Sequence, residues 1–279
     1  MPDIFKTPQD LRIYAAKLAA QNKTLGFVPT MGALHEGHLT LAQKALSQCD
    51  ECIVSIFVNP KQFAPHEDFD RYPRTLGKDA ELLKSIGVHA IFAPEVETMY
   101  PANFQTTVSV GEISKPLEGE FRPHFFAGVA TVVARLLLLV GAQKAFFGEK
   151  DYQQLQVVKH MTSDLAIPTE IIGVPIIRED SGLALSSRNA YLSQEERAIA
   201  NQLNKILISM ANDIKSGLPI ATIEEKAQQK LLSIGFDKVD YCTIRDAQTL
   251  VPPDKNTQHL RVLAAAWLGQ TRLIDNMEG

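Results

Sequence analysis

The chain has 279 residues, 45% of them apolar, 28 Lys+Arg against 32 Asp+Glu, three cysteines and a formal net charge of -4. At this length roughly 70–75% of the unfolded surface is buried on folding, so a core forms without disulfides or structural metals, and disorder or a disulfide scaffold is excluded. The weakly acidic balance gives no general attraction to nucleic acid or anionic lipid; no run reaches the about 18 apolar residues of a membrane span, and the N-terminus lacks the apolar stretch of a secretory signal, which leaves the cytoplasm as the expected location.

Thr7-Pro8-Gln9-Asp10 reads as an N-cap, a proline in the first turn and an acid at the third position, so a helix is predicted to follow. Leu25 to Val28 predicts a strand, the spacing of Leu39, Ala42, Ala45 and Leu46 a helix, and Ile53 to Val58 a second strand. The alternation continues with a helix near Thr75 to Ile86, strands at Val88 to Ala93 and Thr107 to Val110, and a helix over Gly128 to Val140. Ala145 to Phe147, Tyr152 to Leu165 and Glu170 to Val174 then read as strand, helix and strand. Continuous apolar strands alternating with helices predict a parallel sheet covered on both faces. After Pro175 an irregular stretch precedes helical segments near Gln194 to Ser216 and Ile220 to Ile234. Strands at Val239 to Ile244, Val262 to Trp267 and Arg272 to Ile274 close the chain, the last two joined at Gly269-Gln270 as a hairpin. A small antiparallel sheet is therefore expected in a second domain, with the boundary near residues 175 to 178.

The first chemical cluster, Pro29 to His38, leaves the first strand and runs into a helix. Ligands of open α/β sheets bind at the carboxyl ends of strands, Gly32 and Gly37 allow close backbone approach, and a helix start favours phosphate. His35 and His38, three apart on the first turn, share a face and form a donor pair aimed at a phosphate. Zinc is the competing reading, but zinc-protease histidines stand four apart with Glu next to the first; no protein-based metal site is assigned. Cys49-Asp50-Glu51-Cys52 has redox spacing, yet Cys49 ends a helix, Cys52 opens a strand and two carboxylates lie between, which is the wrong setting for a thiolate. Glu67, Asp68 and Asp70 read as solvated loop acids, and Asn59 before Pro60 as part of a turn.

The H-x-G-H sequence at residues 35 to 38 belongs to a nucleotidyltransferase superfamily and by itself proposes chemistry at the α-phosphate of ATP or CTP. Phe57 to Thr75 (FVNPKQFAPHEDFDRYPRT), Phe147 to Leu155 (FGEKDYQQL), Gly182 to Asn189 (GLALSSRN) and the stretch from Ala265 to Asn276 (AAWLG…RLIDN) closely resemble the pantothenate synthetase, or pantoate–β-alanine ligase, family, in order and from about residue 25 to the end. The resemblance implies a Rossmann-like doubly wound parallel sheet with a smaller C-terminal α+β domain. Residues 1–176 are then the ATP/pantoate-binding domain, and 177–279 the domain that covers the nucleotide.

The activity implied is ATP-dependent condensation of (R)-pantoate with β-alanine to pantothenate, AMP and diphosphate through a pantoyl adenylate, with magnesium carried on the phosphates and a homodimer as the working assembly. His35, His38 and Lys150 fall at catalytic positions, His38 as proton donor. The ATP positions are Met31, Gly32, Ala33, Leu34, His35, Glu36, Gly37, His38, Gly148, Glu149, Lys150, Asp151, Ile177, Leu185, Ser186, Ser187 and Arg188. Gln62 and Gln154 fall at pantoate positions, Gln62 also at β-alanine. Negative charge builds on phosphoryl oxygens in the first step, so preorganised cations and N–H donors should dominate. The chain departs from the family at Arg122-Pro123-His124-Phe125, where His124 stands in a glycine position and Phe125 in a histidine position, and Arg122 and His124 are left unassigned. Lys61 and Ala64 also replace commoner residues. Two alternatives remain open, another nucleotidyltransferase with the same histidine loop and an ATP sensor without turnover.

Overall fold

A computed structural model describes residues 1–63 and 69–279, arranged as two compact units: 1–149 with 154–175, and 150–153 with 176–279. Ala64, Glu67 and Asp68 lie outside the described residues.

The first unit starts with β1 (Asp3–Phe5), α1 (Pro8–Ala20), β2 (Leu25–Thr30), α2 (Glu36–Gln48), β3 (Glu51–Ile56), α3 (Leu76–Ser85) and β4 (Ala90–Phe92). The short helices α4 (Val96–Met99) and α5 (Glu118–Phe121) lead to α6 (Phe125–Val140), β5 (Lys144–Gly148), α7 (Tyr152–Asp164) and β6 (Glu170–Val174). All six strands pair in parallel in the order β1-β4-β3-β2-β5-β6. The runs are apolar on both sides because both faces are covered. Phe27, Ile53 and Phe147 face one cluster with side chains of α1, α6 and α7, whereas Val28, Cys52, Val54 and Phe146 face another with those of α2 and α3. Thr7 caps α1 as its sequence predicts, its hydroxyl accepting from the Asp10 N–H at 3.2 Å.

In the first unit β1, α4 and α5 are not foreseen from the sequence, and one expected strand does not form. The three-residue β1 is too short to show a period, and only its pairing with β4 defines it. Thr107 to Val110 forms no strand: the Val108 N–H donates to the Thr131 hydroxyl of α6 at 3.0 Å instead of entering a ladder, so β propensity there yields to a tertiary partner.

The second unit holds α8 (Gln194–Ala200), α9 (Leu203–Lys215), α10 (Ile220–Ser233) and the antiparallel strands β7 (Lys238–Asp246), β8 (Leu260–Leu268) and β9 (Thr271–Glu278) in sheet order β7-β8-β9. Its core packs Leu203, Leu207 and Leu231 onto Cys242, Val262 and Ala264. The hairpin at Gly269-Gln270 forms with Leu268 opposite Thr271. The helix expected over Gln194 to Ser216 is two helices, because the Gln202 N–H reaches back three residues to Ile199 and tightens the turn.

Candidate active site

In the first unit the chain lays β2, β3 and β4 outward to one side and then returns to place β5 and β6 on the other side of β2. The strand order therefore reverses between β2 and β5, and the space beyond their carboxyl ends is the crevice in which sheets of this kind bind ligands. Residues 31–38 leave β2 at that point. Gly32 turns the chain with φ +85°, a region closed to most side chains, and a Cβ there would meet Ile56 Cγ2 at 3.0 Å.

Asp79 of α3, 1% exposed, holds this loop from below. Its carboxylate accepts from the N–H of Ala33 at 3.1 Å and of Leu34 at 2.9 Å, and from the Thr75 hydroxyl at 3.2 Å. Asp79 carries no motif in the sequence, and only the packing of α3 against α2 identifies it. The Gly32 N–H donates to the Thr30 hydroxyl at the end of β2, those of residues 33 and 34 to Asp79, and those of residues 35 and 37 to the two histidine rings.

The two histidines cap α2. His35 Nδ1 accepts from the Gly37 N–H at 3.2 Å, and His38 Nδ1 accepts from the His35 N–H at 3.3 Å. An imidazole nitrogen that accepts cannot hold the proton, so in each neutral ring the proton sits on Nε2, making that atom the donor. The rings lie 4.1 Å apart between centroids. Two N–H donors of fixed tautomer thus stand side by side at the switch point.

Gln62 follows β3 on a short 3₁₀ turn. Its amide accepts from Asn59 Nδ2 at 3.1 Å and donates to Met31 Sδ at 2.9 Å, which brings the turn to the start of the histidine loop. Asn59 does more than form the turn. Fully buried, it also donates to the Gly128 carbonyl at 3.2 Å and accepts from the Tyr100 hydroxyl at 2.8 Å. A Cβ on Gly128 would collide with the Lys61 carbonyl, so glycine is what lets α6 approach. Arg122, unassigned from the sequence, donates to the Gln62 carbonyl at 3.3 Å and stacks on Phe125 with its guanidinium carbon 3.8 Å from the ring centroid. Lys61, a family departure, places its ammonium 4.6 and 4.5 Å from the ring centroids of Tyr100 and Phe104. Gly148 ends β5, Glu149 packs its carboxylate over Gly173, and the half-buried Gln154 lies in the first turn of α7.

In the second unit, Lys150, Asp151, Ile177, Leu185, Ser186, Ser187 and Arg188 are all partly exposed. Ile177 and Leu185 join two arms of a narrow loop, the Leu185 N–H donating to the Ile177 carbonyl at 2.9 Å. Ser186 Oγ accepts from the Arg188 N–H at 3.3 Å and so sets the turn that presents Ser187 and Arg188. The buried Asn189 anchors that turn through the Ala184 carbonyl at 3.1 Å, and Arg197 clamps Glu179 with both carboxylate oxygens within 2.9 Å. Among the described residues no three His, Cys, Asp or Glu side chains gather as metal ligands, and no helix is long and apolar enough to cross a membrane. Burial pushes the Cys49 thiol up, and the Cys52 thiol up to about 12.

A doubly wound parallel sheet with a pair of histidines at its switch point defines an α/β protein of the Rossmann-like class. The model of the pantoate-beta-alanine ligase family matches residues 3–278, and the chain belongs to that family. It is 51% identical to the pantothenate synthetase of Caulobacter vibrioides, covering 99% of this chain and 98% of that one, and 50% identical to that of Paramagnetospirillum magneticum over 98% and 96%. Among solved structures, pantothenate synthetase from Thermus thermophilus superposes with a TM-score of 0.92 at 45% identity over 99% of both chains. Pantoate-beta-alanine ligase from Francisella tularensis, complexed with beta-gamma ATP and beta-alanine, superposes with a TM-score of 0.84 at 35% identity, covering 100% of this chain and 98% of that one.

Proposed function

We infer that the chain catalyses the ATP-dependent condensation of (R)-pantoate with β-alanine to pantothenate, AMP and diphosphate. Family membership over residues 3–278 carries the reaction class. The observation that supports the site is the pair of imidazoles whose Nδ1 atoms are tied to the main chain, leaving Nε2 as donor on both rings. Another nucleotidyltransferase chemistry, or an ATP sensor, does not account for a match of this family along the whole chain.

A carboxylate oxygen of pantoate attacks the α-phosphorus of ATP, the bond to the bridging oxygen breaks, and diphosphate leaves with the electron pair. Charge rises on the phosphoryl oxygens, where His35, His38, Lys150 and Arg188 supply N–H donors and positive charge, with Ser186 and Ser187 as hydroxyl donors. The β-alanine amine then attacks the acyl carbon, loses a proton and expels AMP; His38 is the proton donor of this sequence. Met31 to Leu34, Glu36 and Gly37, Gly148, Glu149, Asp151, Ile177 and Leu185 complete the proposed ATP contacts through packing and carbonyl groups. Gln62 and Gln154 take the hydroxyls and carboxylate of pantoate, since amides both donate and accept, and Gln62 also meets β-alanine. In this reading residues 1–176 bind ATP and pantoate, and 177–279 cover the nucleotide.

Magnesium is proposed to arrive on the triphosphate, because the ion keeps much of its water and prefers phosphate oxygens. The working form is proposed as a cytoplasmic homodimer; three free cysteines fit a reducing compartment, and sedimentation measures the assembly. The reaction is tested by following ATP-to-AMP conversion with pantoate, with and without β-alanine, by mass. Equal amounts of AMP and pantothenate only when both substrates are present are expected; no AMP under any combination overturns the reading.

A further inference from the structure

The Arg272-Leu273-Ile274-Asp275-Asn276 motif near the C-terminus carries no role in the mechanism above, yet its last two residues are 3% exposed on β9. Both are polar, and burying them costs free energy unless partners are supplied. The partners are specific. The Asn276 amide donates from Nδ2 to the Lys150 carbonyl at 2.9 Å and accepts at Oδ1 from Arg261 Nε at 2.8 Å. The Arg261 guanidinium in turn lies 4.0 Å from the ring centroid of Tyr152, two residues beyond Lys150, and the Tyr152 hydroxyl donates to the Ala247 carbonyl at 2.9 Å. Next to it, Asp275 receives Arg178 through two nitrogens at 2.7 and 2.9 Å, and Arg178 also reaches the Asn276 carbonyl at 3.3 Å and the Gly182 carbonyl at 3.1 Å.

One dipeptide therefore braces two segments of the second unit: the turn that carries Lys150, and the 177–185 loop that ends at Ser186, Ser187 and Arg188. The Lys150 carbonyl lies in the 3₁₀ turn Glu149–Asp151 that leads into α7. Fixing that oxygen fixes the peptide plane after Lys150, and so restrains the direction in which its Cα–Cβ bond leaves the main chain. A long flexible ammonium gains rate only when its stem is aimed beforehand.

We propose that Asn276 is a positioning residue for adenylate formation, its amide holding the main chain of Lys150 so that the ammonium is aimed at the phosphates of ATP. The inference rests on the reading of Lys150 as a phosphate-binding residue. A general stabilising role for the buried network is the competing explanation, and the two differ in which half-reaction they affect and in whether the effect depends on the Lys150 side chain.

Asn276→Asp is the informative variant. It is isosteric and keeps the acceptor for Arg261, but an ionised carboxylate cannot donate to the Lys150 carbonyl. Two rates are measured on the full chain, single-turnover formation of pantoyl adenylate from ATP and pantoate, and release of AMP when β-alanine is added to supplied pantoyl adenylate. The expected result is a loss of adenylate formation of about 10–100-fold, AMP release within about 2-fold of the parent, and no further loss when Asn276→Asp is added to Lys150→Ala, since coupled residues are non-additive. Asn276→Ala, which introduces no charge into the network, enters the same cycle if Asn276→Asp does not fold. Normal adenylate formation, equal losses in both half-reactions, or the same fold-loss in the Lys150→Ala background overturns the proposal. Full adenylate formation by Lys150→Ala alone overturns instead the reading of Lys150 on which it rests.

Discussion

The histidine loop and the Lys150 turn are supported in opposite ways. His35 and His38 are fixed by partners within three residues of themselves, each ring accepting from a main-chain N–H of the same helix start. The Lys150 main chain is fixed by Asn276, 126 residues away in sequence. A cap closes a few atoms of chain and forms with the helix itself, whereas the second arrangement exists only when β8, β9 and the turn have come together. Donors can thus be aimed by local chain geometry or by tertiary packing, and the two respond differently to substitution.

Breaking the local arrangement should give the largest effect. His38→Ala removes both a donor and half of the reciprocal cap, and a loss of about 10³-fold in adenylate formation is expected with an unchanged far-UV circular dichroism spectrum; near-normal turnover would remove His38 from the mechanism. His35→Asn separates capping from donation, because Asn is a good N-cap but lacks the Nε2 donor. Thermal stability close to the parent with a rate loss of about 10²-fold is the expected pair of readings.

Asp79 supports the histidine loop from a distant part of the chain, so Asp79→Ala asks how self-sufficient that loop is. It deprives the Ala33 and Leu34 N–H groups of their acceptor, and the expected cost is about 2 kcal/mol in denaturant unfolding with a raised KM for ATP. A parent-like KM would show the caps alone to be enough.

A smaller effect distinguishes the second unit by pH. Burial pushes the Asp240 carboxyl up, but Lys238 at 2.7 Å, Arg272 at 2.7 Å and the Trp267 indole N–H at 2.9 Å outweigh it and hold the carboxyl below its ordinary value of 3.8. A carboxylate depressed in the folded state contributes stability above the unfolded value and loses it as pH falls through the folded one. Amide protection in β7 to β9, taken relative to the intrinsic exchange rate at each pH, should therefore fall below pH about 4, and Asp240→Asn should flatten that dependence by at most about 1.4 kcal/mol per pH unit; an unchanged slope would assign the acid response to other carboxylates.

The smallest effect expected is none. Cys52 and Cys242, both buried with thiols pushed up to about 12, should resist alkylation at neutral pH in the folded protein, and activity should be the same with or without reductant. Rapid modification of Cys52 would reopen the redox reading of Cys49 to Cys52.

Legibility in the sequence follows the same division. The parallel sheet was readable because strands buried on both faces are continuous apolar runs between helical periods, as in Phe27-Val28 and Ile53-Val54. The hairpin at Gly269-Gln270 was readable from its turn residues. Thr107 to Val110 has the composition of a strand but no neighbour to pair with, and β1 has a neighbour but too little pattern. At the site, the histidines and glycines announced themselves by spacing, while Asp79, Asn59 and Tyr100 did not, since an acid on a helix, an Asn before a proline and a tyrosine in a loop are common on any surface. Their burial and shared partners separate them from that background.

The sequence by itself determined the two-part α/β architecture, the family and the position of the donor histidines, because each is written in short-range periodicity or in contiguous motifs. Only the tertiary structure decided that Asp79 and Asn59 hold the loops around the switch point, that Asp275 of the last strand pairs with Arg178, and that Asn276 beside it grips the turn of Lys150. Hydrogen bonds between residues far apart in the chain leave no period to read, and they exist only once burial has brought their groups within about 3 Å and removed the water that would otherwise satisfy them.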